Sequence, residues 1–298
     1  MYNQFSKELD HLNIDYSRDV PMKEHTSFKI GGNAEFFITA KTTDELKAVI
    51  SLCRENNIPY MLIGNGSNLL ISDEGIKGAV IRLEGDFKNI IVNGDEIVAG
   101  AGASLTKLCL DAYKASLTGL EFGYGIPGSV GGAAYMNAGA YGGEMKDVIV
   151  SCTHLDKDLN IGTFALDELD LSYRHSAYMK DEYIILSVNL KLKKGDSTSI
   201  KARMDELMQK RMDKQPLEYP SAGSVFKRPE GAFAAALIEE CGLKGRAVGG
   251  AVVSEKHSGF IVNKGGATCK DVLDLVKIVQ DEVKEKTGFE LHREIIHI

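Results

Sequence analysis

No run of apolar residues in this 298-residue chain reaches the roughly 18 needed to cross a bilayer. The opening MYNQFSKELDHLNIDY is polar and periodic, unlike a secretory leader. Both absences lead to the expectation of a cytoplasmic protein with no membrane insertion. Cysteine is sparse: Cys53, Cys109, Cys152, Cys241 and Cys269 lie far apart and form no CxxC. That pattern fits reduced thiols rather than a disulfide framework or a zinc knuckle. Positive charge is in deficit, with 35 Lys and Arg against 42 Asp and Glu and a net charge of -7. Broad nucleic-acid binding is thereby disfavoured, and an anionic ligand needs a local cluster of Lys and Arg. The seven histidines form no HExxH or other paired-ligand spacing, so no metal is expected. Internal repeats and low-complexity tracts are lacking, and no obligate protein partner is evident.

What is present is ordinary for a globular protein: 44% hydrophobic and 26% charged residues. The length suggests about two domains. From Thr43 to Asn57, apolar residues at 46, 49, 50 and 53 follow a Thr/Asp start signal, which predicts a helix. A short apolar strand at 60–63 follows, giving a β-α-β reading. From 79 to 100 the pattern becomes short strands with Gly and Asn-Gly turns. Further helices are expected at 104–116, from a cap at Ser197 to about 212, at 232–241 and at 269–286. Further strands are expected at 148–153, 184–192, 260–262 and 291–298. The Pro-broken KQPLEYPSAG is a candidate domain boundary.

Two stretches approach a dinucleotide fingerprint, 64–69 (GNGSNL) and 100–105 (GAGASL). Both lack the third glycine and an acidic ribose ligand on a following strand. No phosphate loop of the GxxxxGK[ST] type occurs. The loop from Gly64 to Asn68 can still form an anion-binding nest of backbone N–H groups, with Ser67 and Asn68 adding side-chain donors. A plain turn is the equal alternative. A second stretch, GLEFGYGIPGSVGGAAYMNAGAYGGE at 119–144, holds more glycine than tight turns require. It lets backbone approach a ligand closely or, more simply, lets helices pack.

The pairing of IGNGSNLLISDEG with GIPGSVGGAAYMNAGAYGGE resembles the flavin-binding region of the vanillyl-alcohol oxidase and p-cresol methylhydroxylase superfamily. Within it, the chain is most similar to the UDP-N-acetylenolpyruvoylglucosamine reductase family. HTSFKIGG at 25–32, LSYRHS at 171–176, YPSAGSVFKRP at 219–229 and LHREII at 291–296 extend the match to nearly the whole chain. SAGSVFKRP and the short tail resemble that family's compact subclass. The resemblance implies an α+β fold. Residues 1–200 form a two-part FAD-binding region split near 78. Residues 201–298 form a smaller C-terminal α/β substrate-binding domain whose final strand returns to the active site.

By the same resemblance, Gly64, Asn65, Gly66, Ser67 and Asn68 grip the FAD diphosphate, and Pro127, Gly128, Ser129 and Gly132 lie along the flavin. No residue suggests a covalent tether, so FAD is expected to dissociate. Arg174, Ser224 and Glu294 match the catalytic Arg, Ser and Glu. Tyr141, Tyr173, Lys214, Gln215, Lys227 and Arg228 match the substrate channel. The implied reaction passes hydride from NADPH through FAD to an enolpyruvyl ether on a nucleotide sugar, with NADPH using the substrate's own pocket. Arg174 offers a planar cation to the carboxylate on which charge develops. Ser224 is the candidate proton donor, with Lys227 and nearby N–H groups steadying its alkoxide. Strand alternation places Glu294 on one face with Ile296 and Ile298.

Taken singly, each residue has a plainer reading. Arg174 is a surface arginine, Ser224 closes a turn, Glu294 pairs with a lysine, and Arg211, Lys214, Lys227 and Arg228 are solvated. His175 reads as a local hydrogen-bonding residue. Ser224 to Lys227 also fits SxxK and 286–288 fits KTG, the marks of a penicillin-binding acyltransferase. No SDN accompanies them, and Lys286-Thr287-Gly288 reads as a helix stop. Another FAD-dependent oxidase of this fold and a non-catalytic nucleotide-sugar binder are the alternative functions.

Overall fold

The computed structural model describes residues 2–180 and 182–298. Its helices are α1 (Tyr2–His11), α2 (Thr43–Glu55), α3 (Leu105–Lys114), α4 (Val130–Tyr135), α5 (Ser197–Lys214), α6 (Ala234–Glu240) and α7 (Cys269–Thr287). The chain forms two compact units. One comprises Met1–Arg18, Phe36–Asn65 and Gly78–Lys210, the other Asp19–Glu35, Gly66–Lys77 and Arg211–Ile298. No helix among the described residues is long and apolar enough to cross a membrane.

The first unit has its own apolar core and carries most of a four-stranded sheet and all of a five-stranded one. One sheet has four strands in the order Asp15–Pro21, Asn33–Ala40, Ile76–Leu83, Tyr60–Ile63. The expected β-α-β unit is present: Asn33–Ala40 leads through α2 to Tyr60–Ile63, which pairs in parallel with Ile76–Leu83. Thr42 caps α2 by accepting the N–H of Glu45, and Leu46, Val49, Ile50 and Cys53 are the buried face, as their spacing requires. The other sheet is antiparallel, in the order Ile161–Ala165, Ile149–Leu155, Ile184–Lys191, Glu96–Gly100, Ile90–Asn93. Its last two strands are joined by the two-residue turn Gly94-Asp95, where Gly94 has φ of 67°. Ser104 caps α3 through the N–H of Lys107, so that helix begins where the sequence signals it.

The second unit packs α6, α7 and a three-stranded sheet (Ala247–Val248, Ala251–Val253, Ile261–Asn263) around a separate core. In α7, Thr268 and Asp271 form a capping box, and Gly288 ends the helix in the left-handed region with φ of 79°. Lys286-Thr287-Gly288 is thus a helix stop.

Two expectations need correction. Ser197 is not the cap of α5; it is the first helical residue. Asp196, one position earlier, caps with a carboxylate that accepts the Ser199 N–H at 2.8 Å. The predicted strand 291–298 is regular only at Ile296–His297. Leu291 and Ile295 are buried, whereas Ile296 is 37% exposed. Glu294 therefore does not share a buried apolar face with Ile296. The segment turns to serve different neighbours at its two ends: Arg293 bridges to Phe226, while Ile296 and His297 pair in parallel with Leu69 and Leu70.

Candidate active site

In the second unit, Ser224 follows Gly223, where the chain bends with φ of 77°. Ser224 bridges Phe260 on one side, and Val225 donates to the Gly259 carbonyl at 2.9 Å. On the other side runs the segment with Glu294. The Glu294 N–H donates to the Val225 carbonyl at 2.8 Å, and the Lys227 N–H donates to the His292 carbonyl at 2.8 Å. The main chain of Glu294 thus lies opposite the residue after Ser224. Its carbonyl accepts the Asn68 side-chain amide at 3.1 Å, and Ile296 donates to the Asn68 carbonyl at 2.9 Å. The structure brings Ser224, Glu294 and Asn68 together on three adjacent segments.

Gly66 is buried, with φ of 62°, and a Cβ there would strike the His25 carbonyl. Ser27 donates to the Gly66 carbonyl at 3.3 Å, so HTSFKIGG braces this loop. Among the described residues, no protein acceptor takes the backbone N–H of Asn65, Gly66, Ser67 or Asn68. A run of undonated N–H groups at small residues suits an anion. That donor set fits the diphosphate of FAD.

In the first unit, the backbone of 128–131 lies against 101–105. Leu105 donates to Gly128, Val130 to Ala103 and Gly131 to Ala101, at 3.0, 2.8 and 2.9 Å. Ser129 is buried and caps the short α4 through the N–H of Gly132 at 3.2 Å; Pro127 and Gly132 are exposed. A Cβ at Gly100 would strike the Phe87 carbonyl, and one at Gly102 the Leu83 carbonyl. The glycines of the second fingerprint-like stretch are therefore demanded by packing, and no dinucleotide motif is needed to account for them.

Arg174 and Tyr141 share an unusual backbone. Tyr141 (φ 54°) and Gly142 (φ 88°) form the two-residue turn between the short strands Gly139–Ala140 and Gly143–Glu144. Arg174 (φ 52°) sits in a turn closed by mutual hydrogen bonds between Ser172 and His175. A left-handed residue other than glycine costs roughly 1 kcal/mol or more and concentrates at functional sites. The guanidinium lies 5.1 Å from the Tyr173 ring centroid, and its Nη2 donates to the Gly139 carbonyl at 3.3 Å. His175 is a local hydrogen-bonding residue, 3.3 Å from Asp170.

The basic cluster divides. Lys214, Lys227 and Arg228 are exposed, and Arg228 stacks over Phe233 at 4.5 Å. Arg211 is buried and donates to the Gln215 side-chain oxygen at 3.2 Å, which orients that amide. Sequence reasoning did not pick out Asn137, whose amide joins the Tyr141 hairpin to the Arg174 turn. Its one signal was an Asn in a glycine-rich run, where Asn is the side chain most tolerant of left-handed backbone.

Residues 34–161 match the family model described as an FAD binding domain. The fold agrees: a berberine bridge enzyme variant superposes on 65% of the chain with a TM-score of 0.51 at 15% identity. These findings define an FAD-binding flavoprotein fold. Residues 215–298 match the model for the C-terminal domain of UDP-N-acetylenolpyruvoylglucosamine reductase. Enzymes of that name from Clostridium botulinum and Clostridium perfringens are 56% and 49% identical, each over 99% of this chain and over 96% and 97% of the relative. The crystal structure of the Thermus caldophilus reductase superposes on 95% of the chain, and on 98% of its own, with a TM-score of 0.82 at 39% identity. The chain belongs to the UDP-N-acetylenolpyruvoylglucosamine reductase family.

Proposed function

We propose that this protein reduces the enolpyruvyl group of UDP-N-acetylglucosamine enolpyruvate to give UDP-N-acetylmuramate, an FAD-dependent step of peptidoglycan precursor synthesis in the cytoplasm. The observation that carries the reading is family membership along the whole chain, in which the Ser224 and Glu294 segments are hydrogen-bonded neighbours. The loop 64–68, with Pro127, Gly128, Ser129 and Gly132, holds FAD without a covalent bond. Residues 1–200 serve the cofactor, and 201–298 serve the nucleotide sugar. FAD, when bound, supplies hydride to the distal carbon of the enol ether, and NADPH is the source of the electrons.

The chain itself places the substrate and manages charge. Hydride addition builds negative charge on the substrate carboxylate. Arg174 meets it with a guanidinium fixed before the reaction begins, so little reorganisation is needed. The Ser224 hydroxyl delivers the proton to the adjacent carbon, and Lys227 steadies the alkoxide it leaves. Glu294, half-buried and fixed through its main chain, orients the enolate. Tyr141, Tyr173, Lys214, Gln215 and Arg228 hold the nucleotide sugar, and the exposed lysines and arginine supply the local positive charge that an acidic protein otherwise lacks.

The purified protein is expected to be yellow, and to consume NADPH only when the enolpyruvyl nucleotide sugar is added. A colourless protein that takes up no added FAD, or NADPH consumption indifferent to the sugar, sinks the reading. Rapid reoxidation by oxygen with turnover of an alcohol points instead to an oxidase of the same fold.

A further inference from the structure

Asn137 is fully buried and adopts φ of 41°. It follows α4 at the position where a helix turns left-handed to finish. Its N–H donates to the Ala134 carbonyl at 3.1 Å, and the next N–H, of Ala138, donates to the Ala133 carbonyl at 2.8 Å. That pair of bonds is the Schellman stop, which favours Gly and accepts Asn. A stop alone does not require an amide. The side chain has a second use: Nδ2 donates to Glu144 Oε2 at 2.7 Å and to the Ser172 carbonyl at 3.0 Å. Oδ1 accepts the Lys146 N–H at 2.9 Å.

Two of those partners lie on the two strained turns, and Lys146 follows the first of them. Glu144 is on the hairpin with Tyr141 at its tip, and Ser172 closes the turn that presents Arg174. Arg174 Nη2 adds a further link, back to Gly139 of the hairpin. A buried amide with three good hydrogen bonds is a rigid junction, since each partner left alone there is a buried polar group without a bond, which is strongly unfavourable. Gly can supply the backbone but not the amide; Asp can supply the backbone but not the donor. From this geometry we infer that Asn137 is a positioning residue that locks the Arg174 turn to the Tyr141 hairpin, so that guanidinium and phenol meet the substrate as one preset surface. The inference rests on the reading of Arg174 as the cation facing the substrate carboxylate.

Asn137→Gly tests it, because it keeps the helix stop and deletes only the side chain. The FAD-loaded enzyme is reduced chemically without air and mixed with the enolpyruvyl nucleotide sugar, and reoxidation of the flavin is followed. The rate constant at saturating sugar is expected to fall about 10²-fold, the usual cost of a misplacement near 1 Å. Flavin content is unchanged, and half-saturation moves far less than the rate constant. In an Arg174→Ala background, Asn137→Gly costs less than about twofold more, as residues acting through one another are not additive. If Asn137→Gly does not retain flavin, the double variant Asn137→Asp, Glu144→Gln answers instead. It keeps a hydrogen bond to the hairpin and loses the one to Ser172, so the same slowing is expected.

A rate within about threefold of the parent, or a loss that adds in full to that of Arg174→Ala, overturns the proposal. A slow Arg174→Ala beside an unaffected Asn137→Gly removes this proposal alone. An unaffected Arg174→Ala removes the reading of Arg174, and the proposal with it.

Discussion

The side-chain amide of Asn68 donates to the main-chain carbonyl of Glu294 at 3.1 Å, across 226 residues of sequence. One hydrogen bond thus ties the loop proposed to hold the flavin diphosphate to the segment proposed to steer the substrate. Asn68→Asp removes the donor and sets an anionic oxygen against the carbonyl. Leaving such a group unpaired costs about 1–3 kcal/mol, and each kcal/mol lowers the melting temperature of a chain this size by roughly 2–4 °C. A thermal melt should show that drop, and flavin reoxidation by the nucleotide sugar should slow. An unchanged melt with unchanged turnover shows that the bond contributes nothing.

Ser224→Ala is expected to lower turnover by roughly 10²–10⁴-fold, the usual contribution of a positioned acid. Reduction of the flavin by NADPH should survive, since that half-reaction needs no proton from Ser224. Stopped-flow measurement of the two half-reactions separates them, and equal collapse of both counts against the acid assignment.

Arg174 holds its left-handed φ at a cost, which glycine does not incur and alanine does. Arg174→Gly and Arg174→Ala should both lose turnover. Glycine should nevertheless leave the more stable protein, by about 1 kcal/mol. Urea midpoints compare the two, and a more stable alanine variant refutes the strain argument.

His154 is buried against Phe164, Tyr178 and Tyr183, with Nδ1 3.2 Å from the Tyr178 hydroxyl. Burial lowers its pKa below the ordinary 6.5, while Asp156, the Cys152 carbonyl and Glu168 oppose the shift. The folded state therefore resists a proton that the unfolded chain takes up. Stability is complete above about 6.5 and declines as the pH falls from there through the depressed folded value. Urea midpoints at about pH 7.5 and 5.5 should differ more for the parent than for His154→Gln. Equal differences remove His154 as a cause.

All five cysteines are buried and free. Burial pushes the Cys53, Cys109 and Cys152 thiols up to about 12. Little thiolate exists near neutrality, so a thiol-specific disulfide reagent should label the native protein far more slowly than the urea-unfolded chain. Fast native labelling at these three positions contradicts the packing described.

Helices were legible where period and punctuation agree. In α2 the buried positions recur at helical spacing, and in α7 Lys286-Thr287-Gly288 marks the stop, whereas the caps at Thr42 and at Thr268 with Asp271 come from the structure. Residues 291–298 were misread because alternation assumes a single pair of neighbours, whereas Phe226 claims one end and Leu69 the other. The loop at 64–68 stood out by its small residues, but its undonated N–H groups are a property of three-dimensional pairing. Asn137 was hidden for a similar reason. Its neighbours at 144, 146 and 172 follow no period, and a buried amide looks in sequence like any surface asparagine. The left-handed backbone at Arg174 leaves no trace in composition, since arginine has no preference for it.

The second unit is assembled from 19–35, 66–77 and 211–298, and this has a cost during synthesis. Asn263 reaches the Phe28 carbonyl across 235 residues, so closing such contacts is slow. At translation speeds of about 5–20 residues per second, the two early stretches leave the ribosome on the order of ten seconds before the segment they pair with. Throughout that interval the strand at Leu69–Leu70 has no neighbour to its open side. An unpaired strand edge of this kind leaves a nascent chain open to misassembly until its partner segment arrives.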